Sequence, residues 1–182
     1  MNKFRCLPVL ILVAFTLVAC RGGKPTRDAV GSQASTSITL QATKDFPVLD
    51  VEGFVPAVRQ EKRKVLSVNA SKYKDEFAAV RGTFPGETGR YDVQISTLKE
   101  FDGESTYRIR VDGKLVGTYQ NPRTDKAGDF SPSDTTFQRV RVKKNAIIQV
   151  EFNSHSNGLI PEGNSTAYSR GRWSSLVFIP VE

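Results

Sequence analysis

Two segments decide the fold: Arg90-Tyr-Asp-Val-Gln-Ile-Ser-Thr-Leu98, and Thr106-Tyr-Arg-Ile-Arg-Val-Asp-Gly-Lys-Leu-Val-Gly-Thr-Tyr119. Apolar and polar residues alternate along both segments, so that Tyr91, Val93 and Ile95 fall on one side of an extended chain. Successive side chains of a β-strand point to opposite faces, and this period of two buries one face while the other meets water. Both segments are therefore predicted to be strands with one buried face.

The Asp112-Gly113 pair predicts a tight hairpin within the second segment. Both residues accept the positive φ angles that two-residue hairpin loops require. A two-residue loop would set Ile109 opposite Val116, whereas a loop one residue longer would set Val111 opposite Leu115. The sequence leaves both registers open.

Further short strands are predicted on both sides of this hairpin, with Gly, Pro, Asn and Asp between them. They are Ile38–Gln41, Phe46–Val51, Lys64–Asn69, Phe77–Phe84, Tyr91–Leu98, Tyr107–Val111, Leu115–Gln120, Phe137–Val142, Ala146–Phe152 and Trp173–Ile179. No run of a dozen residues carries a helical apolar stripe, and residues 71–80 offer one turn at most. This pattern predicts an all-β fold over residues 38–182, an antiparallel β-sandwich or jelly roll.

Composition narrows the class of partner. The chain has 182 residues, 38% of them hydrophobic and 25% charged, which is ordinary for a soluble domain with a short extension. Its net charge of +7 and isoelectric point near 9.5 favour anionic partners. The basic residues are not clustered as in nucleic-acid-binding proteins, so no nucleic-acid partner is predicted. Cys6 and Cys20 precede the domain, which therefore has no predicted disulfide or cysteine metal site.

Residues 1–19 have the features of a secretory signal peptide: early basic residues, an apolar run and a small residue before the cleavage point. The apolar run is shorter than the ~20 residues of a transmembrane helix. Leu17-Val18-Ala19-Cys20 resembles the lipobox of bacterial lipoproteins. This resemblance implies a diacylglycerol on the Cys20 thiol, cleavage before Cys20 and acylation of the new amine. Arg21 after the cysteine favours the outer membrane in a Gram-negative cell, and the leaflet stays open.

Residues 20–37 are predicted to form a flexible tether between the lipid and the domain. They consist mainly of Gly, Ser, Thr, Ala, Pro and scattered charges, with almost nothing to bury. A tether of this kind gives the domain reach from the membrane.

The domain resembles the galactose-binding-like jelly rolls, which include many carbohydrate-binding modules. The resemblance rests on Phe84-Pro-Gly-Glu-Thr-Gly-Arg-Tyr-Asp-Val93, on Asp102-Gly103-Glu104, on Tyr107-Arg-Ile-Arg-Val-Asp-Gly-Lys114 and on the strand, turn and strand of residues 137–152. It implies a non-catalytic domain that binds a polysaccharide or another glycan. The fold does not fix the function, because related modules bind different molecules.

Two long polar loops, residues 153–173 and 119–134, hold the candidate binding residues. A sugar site needs an aromatic face together with side chains that fix hydroxyl groups in defined directions. The predicted carbohydrate-binding residues are Trp173, Arg172, Arg170, Tyr168, Glu162, His155, Asn157, Asn121 and Arg123. The competing interpretation puts Trp173 in the core, Arg170 and Arg172 in ion pairs at the edge, and His155 outside any site. The sequence does not show whether the two loops share one end of the sandwich.

Metal and enzyme chemistry have weaker support. Glu100, Asp102 and Glu104 offer carboxylates of the kind that hold Ca²⁺, but an ordinary solvated turn has the same spacing, and no cofactor is predicted. A single histidine excludes a histidine metal triad, and Ser154-His155-Ser156 lacks the context of a nucleophile elbow. The sequence thus predicts a non-catalytic, lipid-anchored glycan-binding protein of the bacterial envelope, with an acidic glycan favoured. The alternatives are an envelope protein that binds another protein and a small polysaccharide-degrading enzyme.

Overall fold

A computed structural model describes residues 36–182 of the protein. The predicted signal peptide, Cys20 and all but the last two residues of the predicted tether lie outside the described residues. Within the described range, no helix is long and apolar enough to cross a membrane. The strands are β1 Ile38–Gln41, β2 Ala57–Gln60, β3 Val65–Val68, β4 Phe77–Thr83, β5 Gly89–Leu98, β6 Thr106–Val111, β7 Lys114–Gln120, β8 Pro132–Val142, β9 Ile147–Asn153, β10 Pro161–Glu162, β11 Ser165–Thr166 and β12 Trp173–Val181. Helix α1 spans Ala42–Asp45, and a 3-10 turn spans Glu61–Arg63.

The strands form two antiparallel sheets. One sheet has the order β2-β3-β12-β5-β8, with β1 also paired to β12, and the other has the order β4-β9-β6-β7. The short strands β10 and β11 form a separate hairpin inside the loop before β12. The predicted all-β, antiparallel sandwich is confirmed.

The period of two in β5 creates one face of the core. Tyr91, Val93 and Ile95 are buried, and Val150 and Phe152 of β9 lie buried in the same hydrophobic cluster. Each such side chain contributes about 1.5–3 kcal/mol by leaving water. The alternation therefore fixes which face of each sheet turns inward.

The hairpin of β6 and β7 has the two-residue loop. Val111 lies opposite Lys114, and Asp112 and Gly113 have φ angles of 48° and 77°. The expected partner of Ile109 is wrong by one residue, because a β-bulge shifts the register and sets Ile109 opposite Gly117. A bulge adds one residue to one strand, and the sequence of the turn does not predict it.

The predicted strand Phe46–Val51 is wrong. Only Val48 forms an isolated bridge there, with Arg81, and Pro47 lacks the N–H that a ladder needs. The preceding residues form α1 instead, where the carboxylate of Asp45 accepts the N–H of Gln41 at 2.7 Å. The fully buried Phe46 explains the apolar signal without a strand.

Other strands also differ from the prediction. Strand β2 was missed, because its Ala-Val-Arg-Gln sequence is too short to show alternation. Strand β8 begins at Pro132 rather than Phe137. It is the edge strand of its sheet, and an edge strand tolerates Pro and exposed polar residues.

The sandwich has two distinct ends. The loop end consists of residues 69–76, 99–105, 121–131 and 154–172, which connect strands that finish or begin there. The turn end consists of the short connections 84–88, 112–113 and 143–146. Strand β1 begins opposite Phe178, close to the finish of β12, and runs away from the turn end. The described chain therefore enters the domain from the turn end.

Candidate functional site

The two long polar loops meet at the loop end. The N–H of Lys99 donates to the carbonyl of Ser131 at 3.0 Å, and the N–H of Asn157 donates to the carbonyl of Asp102 at 3.2 Å. The segment 99–105 thus lies between the loops 121–131 and 154–172. The question that the sequence left open is answered: both loops lie at one end of the sandwich.

Glu100 holds the last turn of loop 154–172. Its carboxylate is buried and accepts backbone N–H groups from Arg170 at 3.1 Å and from Arg172 at 3.2 Å. The guanidinium of Arg172 also donates to it. Removal from water raises the pKa of Glu100, an effect that Arg172 only partly offsets, and burial likewise lowers the pKa of Arg172. The pair is thus a structural clamp between two loops.

Three of the predicted carbohydrate-binding residues are corrected by their burial. Trp173 is 0% exposed and packs edge-on against Phe46, with ring centres 5.0 Å apart, so neither face can stack on a sugar. Arg172 is 7% exposed and serves Glu100. Asn121 is 3% exposed and donates to the carbonyl of Leu98 at 2.7 Å. The interpretation of Trp173 as a core residue holds.

His155 and Asn157 shape the loop from partly buried positions. The Nδ1 atom of His155 accepts the N–H of Glu104 at 3.2 Å. The side-chain amide of Asn157 donates to the carbonyl of Phe101 at 3.0 Å. Both side chains join loop 154–172 to segment 99–105, so these polar atoms are already hydrogen-bonded within the protein.

The other predicted residues are accessible. Arg170 and Glu162 are exposed, and both act electrostatically on Asp102. Tyr168 is partly buried, with the Nζ atom of Lys74 5.3 Å from its ring centre. Arg123 is paired with Asp125 at 3.0 Å, and both are exposed. The structure therefore brings Arg170 and Glu162 together near Asp102, and among the described contacts none joins Arg123 to them.

Phe130 and Arg63 belong to this end and were missed by sequence reasoning. The ring of Phe130 is partly buried, and its centre lies 4.4 Å from the Arg63 guanidinium carbon and 5.0 Å from that of Arg172. A signal for Phe130 existed, since it is the one aromatic residue in the polar stretch 121–131. Nothing in the sequence marks Arg63, which reaches the ring from the 3-10 turn before β3.

Asp102 is the third residue of this group whose role was not foreseen. Its Oδ1 atom is buried, and no hydrogen-bond partner for it is found within residues 36–182. Burial raises the pKa of Asp102, while Arg172 and Arg170 act in the opposite direction. The buried Oδ1 atom is thus shielded from solvent beside cationic groups, while the Asp102 residue as a whole is partly exposed.

The acidic residues considered for Ca²⁺ do not share a site. Glu100 directs its oxygens to Arg170 and Arg172, and Glu104 lies 3.8 Å from the Nδ1 atom of His155. Among the described residues, no three His, Cys, Asp or Glu side chains are placed to hold a metal ion together.

The loop end therefore offers a partly exposed aromatic ring with guanidinium groups over it. Arg63 and Arg170 present planar donors at the surface, and Asp102 is partly exposed. Guanidinium groups bind carboxylates in a bidentate manner. The arrangement suits a molecule with both an apolar face and an acidic group.

Comparison with known proteins shows a relative of unassigned role and two folds of the same kind. No family model matches the chain. Over 141 residues it is 33% identical to "Uncharacterized protein P23" of Formosa agariphila, covering 77% of this chain and 31% of that protein. The chain thus spans about a third of this relative's length.

Two solved structures share the sandwich. The CBM36-1 domain of a multidomain xylanase, from the hindgut metagenome of Trinervitermes trinervoides, is 12% identical with a TM-score of 0.51, and the match covers 81% of this chain and 99% of that one. The insecticidal crystal protein Cry2Aa is 15% identical with a TM-score of 0.50, covering 80% of this chain and 21% of that one. At these identities the likeness establishes the β-sandwich fold, which one carbohydrate-binding module and one toxin share.

Proposed function

We propose that the sandwich binds an acidic carbohydrate chain at the loop end without cleaving it. The observation that carries this proposal is the Phe130 ring with the guanidinium groups of Arg63 and Arg172 within 5.0 Å of its centre. The exposed Arg170 and the partly exposed Asp102 both act electrostatically on Arg172, which contacts the ring. The set contains one apolar platform, cationic donors and an acceptor.

The chemistry of a uronic acid or a sulfated sugar fits this set. The C–H surface of a pyranose ring packs on the accessible part of Phe130, because both surfaces are apolar. The carboxylate or sulfate of the sugar accepts from Arg63 or Arg170, and Asp102 accepts from a hydroxyl group. Without residues 1–19, which hold Lys3 and Arg5 and no acidic residue, 24 basic and 19 acidic residues remain. This excess of +5 draws an anionic polymer towards the protein.

The fold supports the same function by likeness. The CBM36-1 domain that shares the sandwich belongs to a xylanase. Cry2Aa shares it too and is an insecticidal protein. The proposal therefore rests on Phe130 and its neighbours, and the shared fold is a secondary argument for it.

The proposed location is the bacterial cell envelope, with a lipid on Cys20 as the anchor. The support is the sequence Leu17-Val18-Ala19-Cys20 after a signal-like segment. Several acyl chains on one residue exceed what stable anchoring needs. Arg21 favours the outer membrane, where the tether would present the domain to an extended polysaccharide.

Replacement of Phe130 tests the site. The wild-type protein is screened on a glycan array that includes uronic-acid and sulfated chains, and the best glycan is then titrated by calorimetry. Phe130→Ala should weaken that binding about tenfold, since a lost aromatic contact of ~1.4 kcal/mol corresponds to a factor of ten. Phe54→Ala is the matched control, because Phe54 is also partly buried but lies beside Phe77 and Arg108 rather than beside Arg63 and Arg172.

Other outcomes would replace the proposal. Equal binding by Phe130→Ala and the wild type would move the site elsewhere on the sandwich. Binding to no glycan would favour the protein-partner interpretation. New reducing ends or unsaturated products during incubation with the glycan would mean that the protein is an enzyme.

A further inference from the structure

The turn end carries a basic groove between the edge strands β7 and β8. The groove has a volume of about 390 Å³, and its lining includes Arg90, Lys114, Arg139, Arg141, Val116 and Val140. No acidic side chain lines it. Four cationic groups thus surround a floor that is partly apolar.

The cations of the groove form no ion pairs with acidic side chains within residues 36–182. Ion pairs there involve other residues, and none includes Arg90, Lys114 or Arg141. Arg139 donates to the backbone carbonyl of Glu182 at 3.0 Å. The positive charge of the groove therefore faces outwards.

The acidic side chains of the turn end are engaged elsewhere. Glu87 pairs with Lys144 at 2.7 Å, and Asp112 accepts the N–H of Ile147 at 2.9 Å. Asp92 accepts the N–H of Arg139 at 2.8 Å. These contacts use carboxylates to fix the backbone around the groove and leave its cations available.

Exposed apolar side chains flank the same end. Leu115 is 45% exposed, and Val48 and Ile147 are each 44% exposed. Val48 and Ile147 line a shallow depression on the other side of the Asp112–Gly113 turn from the basic groove. A surface that combines cations with exposed aliphatic side chains is typical of proteins that lie on anionic membranes.

The path of the chain also supports a membrane-facing turn end. Strand β1 begins opposite Phe178 and runs away from the turn end, so the described chain, from residue 36 onwards, enters the domain at that end. A tether from a lipid on Cys20 would therefore reach the domain at the same end as the basic groove. The loop end, with Phe130, lies at the opposite end of the strands.

We propose that the turn end lies on a layer of anionic lipid headgroups, with the basic groove on the phosphates and Val48, Leu115 and Ile147 at the interface. This orientation turns the Phe130 site away from the membrane, towards an extended ligand. An acidic polymer would also be drawn to the cations, but it gives no role to the three exposed aliphatic side chains and no reason for the tether to enter there. The surface does not depend on glycan binding at the loop end.

The test is the partitioning of the full chain between vesicles of two compositions. Sedimentation with phosphatidylcholine vesicles is compared with sedimentation with vesicles that contain phosphatidylglycerol as well. Binding should be stronger to the anionic vesicles, and added salt should remove the difference. Residues 1–35 also carry basic side chains, among them Arg21, Lys24 and Arg27, and they favour anionic vesicles too. The contribution of the domain is therefore the change in this preference between the wild type and the groove variants.

Lys114→Glu with Arg141→Glu should reduce the preference for anionic vesicles at least about 25-fold, since each basic residue near such a surface contributes about fivefold. Lys72→Glu with Lys126→Glu is the matched control, because both lysines are exposed and lie at the loop end. That variant should keep the preference to within a few-fold. Lys114→Gln with Arg141→Gln provides a neutral pair should the charge reversal impair folding.

Equal vesicle binding by the wild type and both groove variants would overturn the proposal, as would an equal loss in the control. Binding of soluble dextran sulfate that the groove variants abolish, without any preference for anionic vesicles, would assign the groove to an acidic polymer instead. Loss of binding to neutral vesicles alone would contradict the proposed anchor and leave this surface intact. Phe130→Ala should keep the vesicle preference, which separates this result from the glycan site.

Discussion

The two ends of the sandwich use charge in opposite ways. At the loop end, Glu100 and Arg172 are buried against each other, and the carboxylate also accepts two backbone N–H groups. At the turn end, Arg90 and Arg141 are exposed and take part in no ion pair within the described residues. The loop end buries an ion pair to hold backbone in place, whereas the cations of the groove at the turn end are exposed and unpaired within the described residues.

This difference shows what fixes the position of the backbone at each end. Long loops have no ladder hydrogen bonds, so their position depends on buried polar contacts of side chains with backbone. Tight turns are fixed by φ, by their flanking strands and by local contacts such as that of Asp112 with the N–H of Ile147, so the nearby cations are left for other uses. Phe130 has a defined place because Arg172, one of its neighbours, is itself held by Glu100.

Arg172→Met should cause the largest loss of stability among the substitutions that test this comparison. It leaves the Glu100 carboxylate buried without its cation, which should lower the free energy of unfolding by about 3–5 kcal/mol at pH 8. The control is Arg59→Met, which removes an exposed pair with Glu61 and should cost less than about 1 kcal/mol. Urea unfolding of both variants measures the two losses.

The pH dependence of the Arg172→Met loss tests its cause. Burial raises the pKa of Glu100 above its usual value of 4.5, and removing Arg172 should raise the pKa further. A carboxyl whose pKa is higher in the folded state binds its proton preferentially there, so stability is regained as the pH falls through the folded pKa towards 4.5. A loss that is the same at pH 8 and pH 5 would show that the charge of Glu100 is not its source.

The fold could be predicted from the sequence because strand alternation is local. The alternation of Tyr91, Val93 and Ile95 predicts their buried face within five residues, and the Asp112-Gly113 pair predicts the turn. The segment after Phe46 was misread, because a buried aromatic residue has the same apolar signal in a strand and in an irregular segment.

The candidate site could be predicted only in part. The polar loop 153–173 was identified, yet Trp173 was wrongly placed in the site, since an aromatic residue at a strand start suits a core and a sugar platform equally. The contact of Arg63 with Phe130 joins residues far apart in sequence, and tertiary packing alone brings them together. Sequence composition thus located the site, and the fold selected its members.

Gly103→Ala probes the close packing of the loop end. A Cβ at this position would overlap the carbonyl oxygen of His155, which belongs to the facing loop. Since backbone must move to admit it, the free energy of unfolding should fall by about 1–3 kcal/mol. Glycan binding should weaken as well, because loop 154–172 carries Arg170. Unchanged stability and binding would show that the two loops are less tightly coupled than the contact indicates.

Gly113→Ala is the matched change at the turn end, and its effect should be the smaller. A Cβ there would meet nothing within 4 Å, so the cost comes from the φ of 77° alone. A left-handed conformation costs an alanine about 1 kcal/mol relative to glycine. Thermal unfolding should therefore show a modest decrease, with the vesicle preference retained because Lys114 and Arg141 are unchanged. A loss as large as that of Gly103→Ala would mean that the turn end is held by packing too, and the contrast between the two ends would have to be given up.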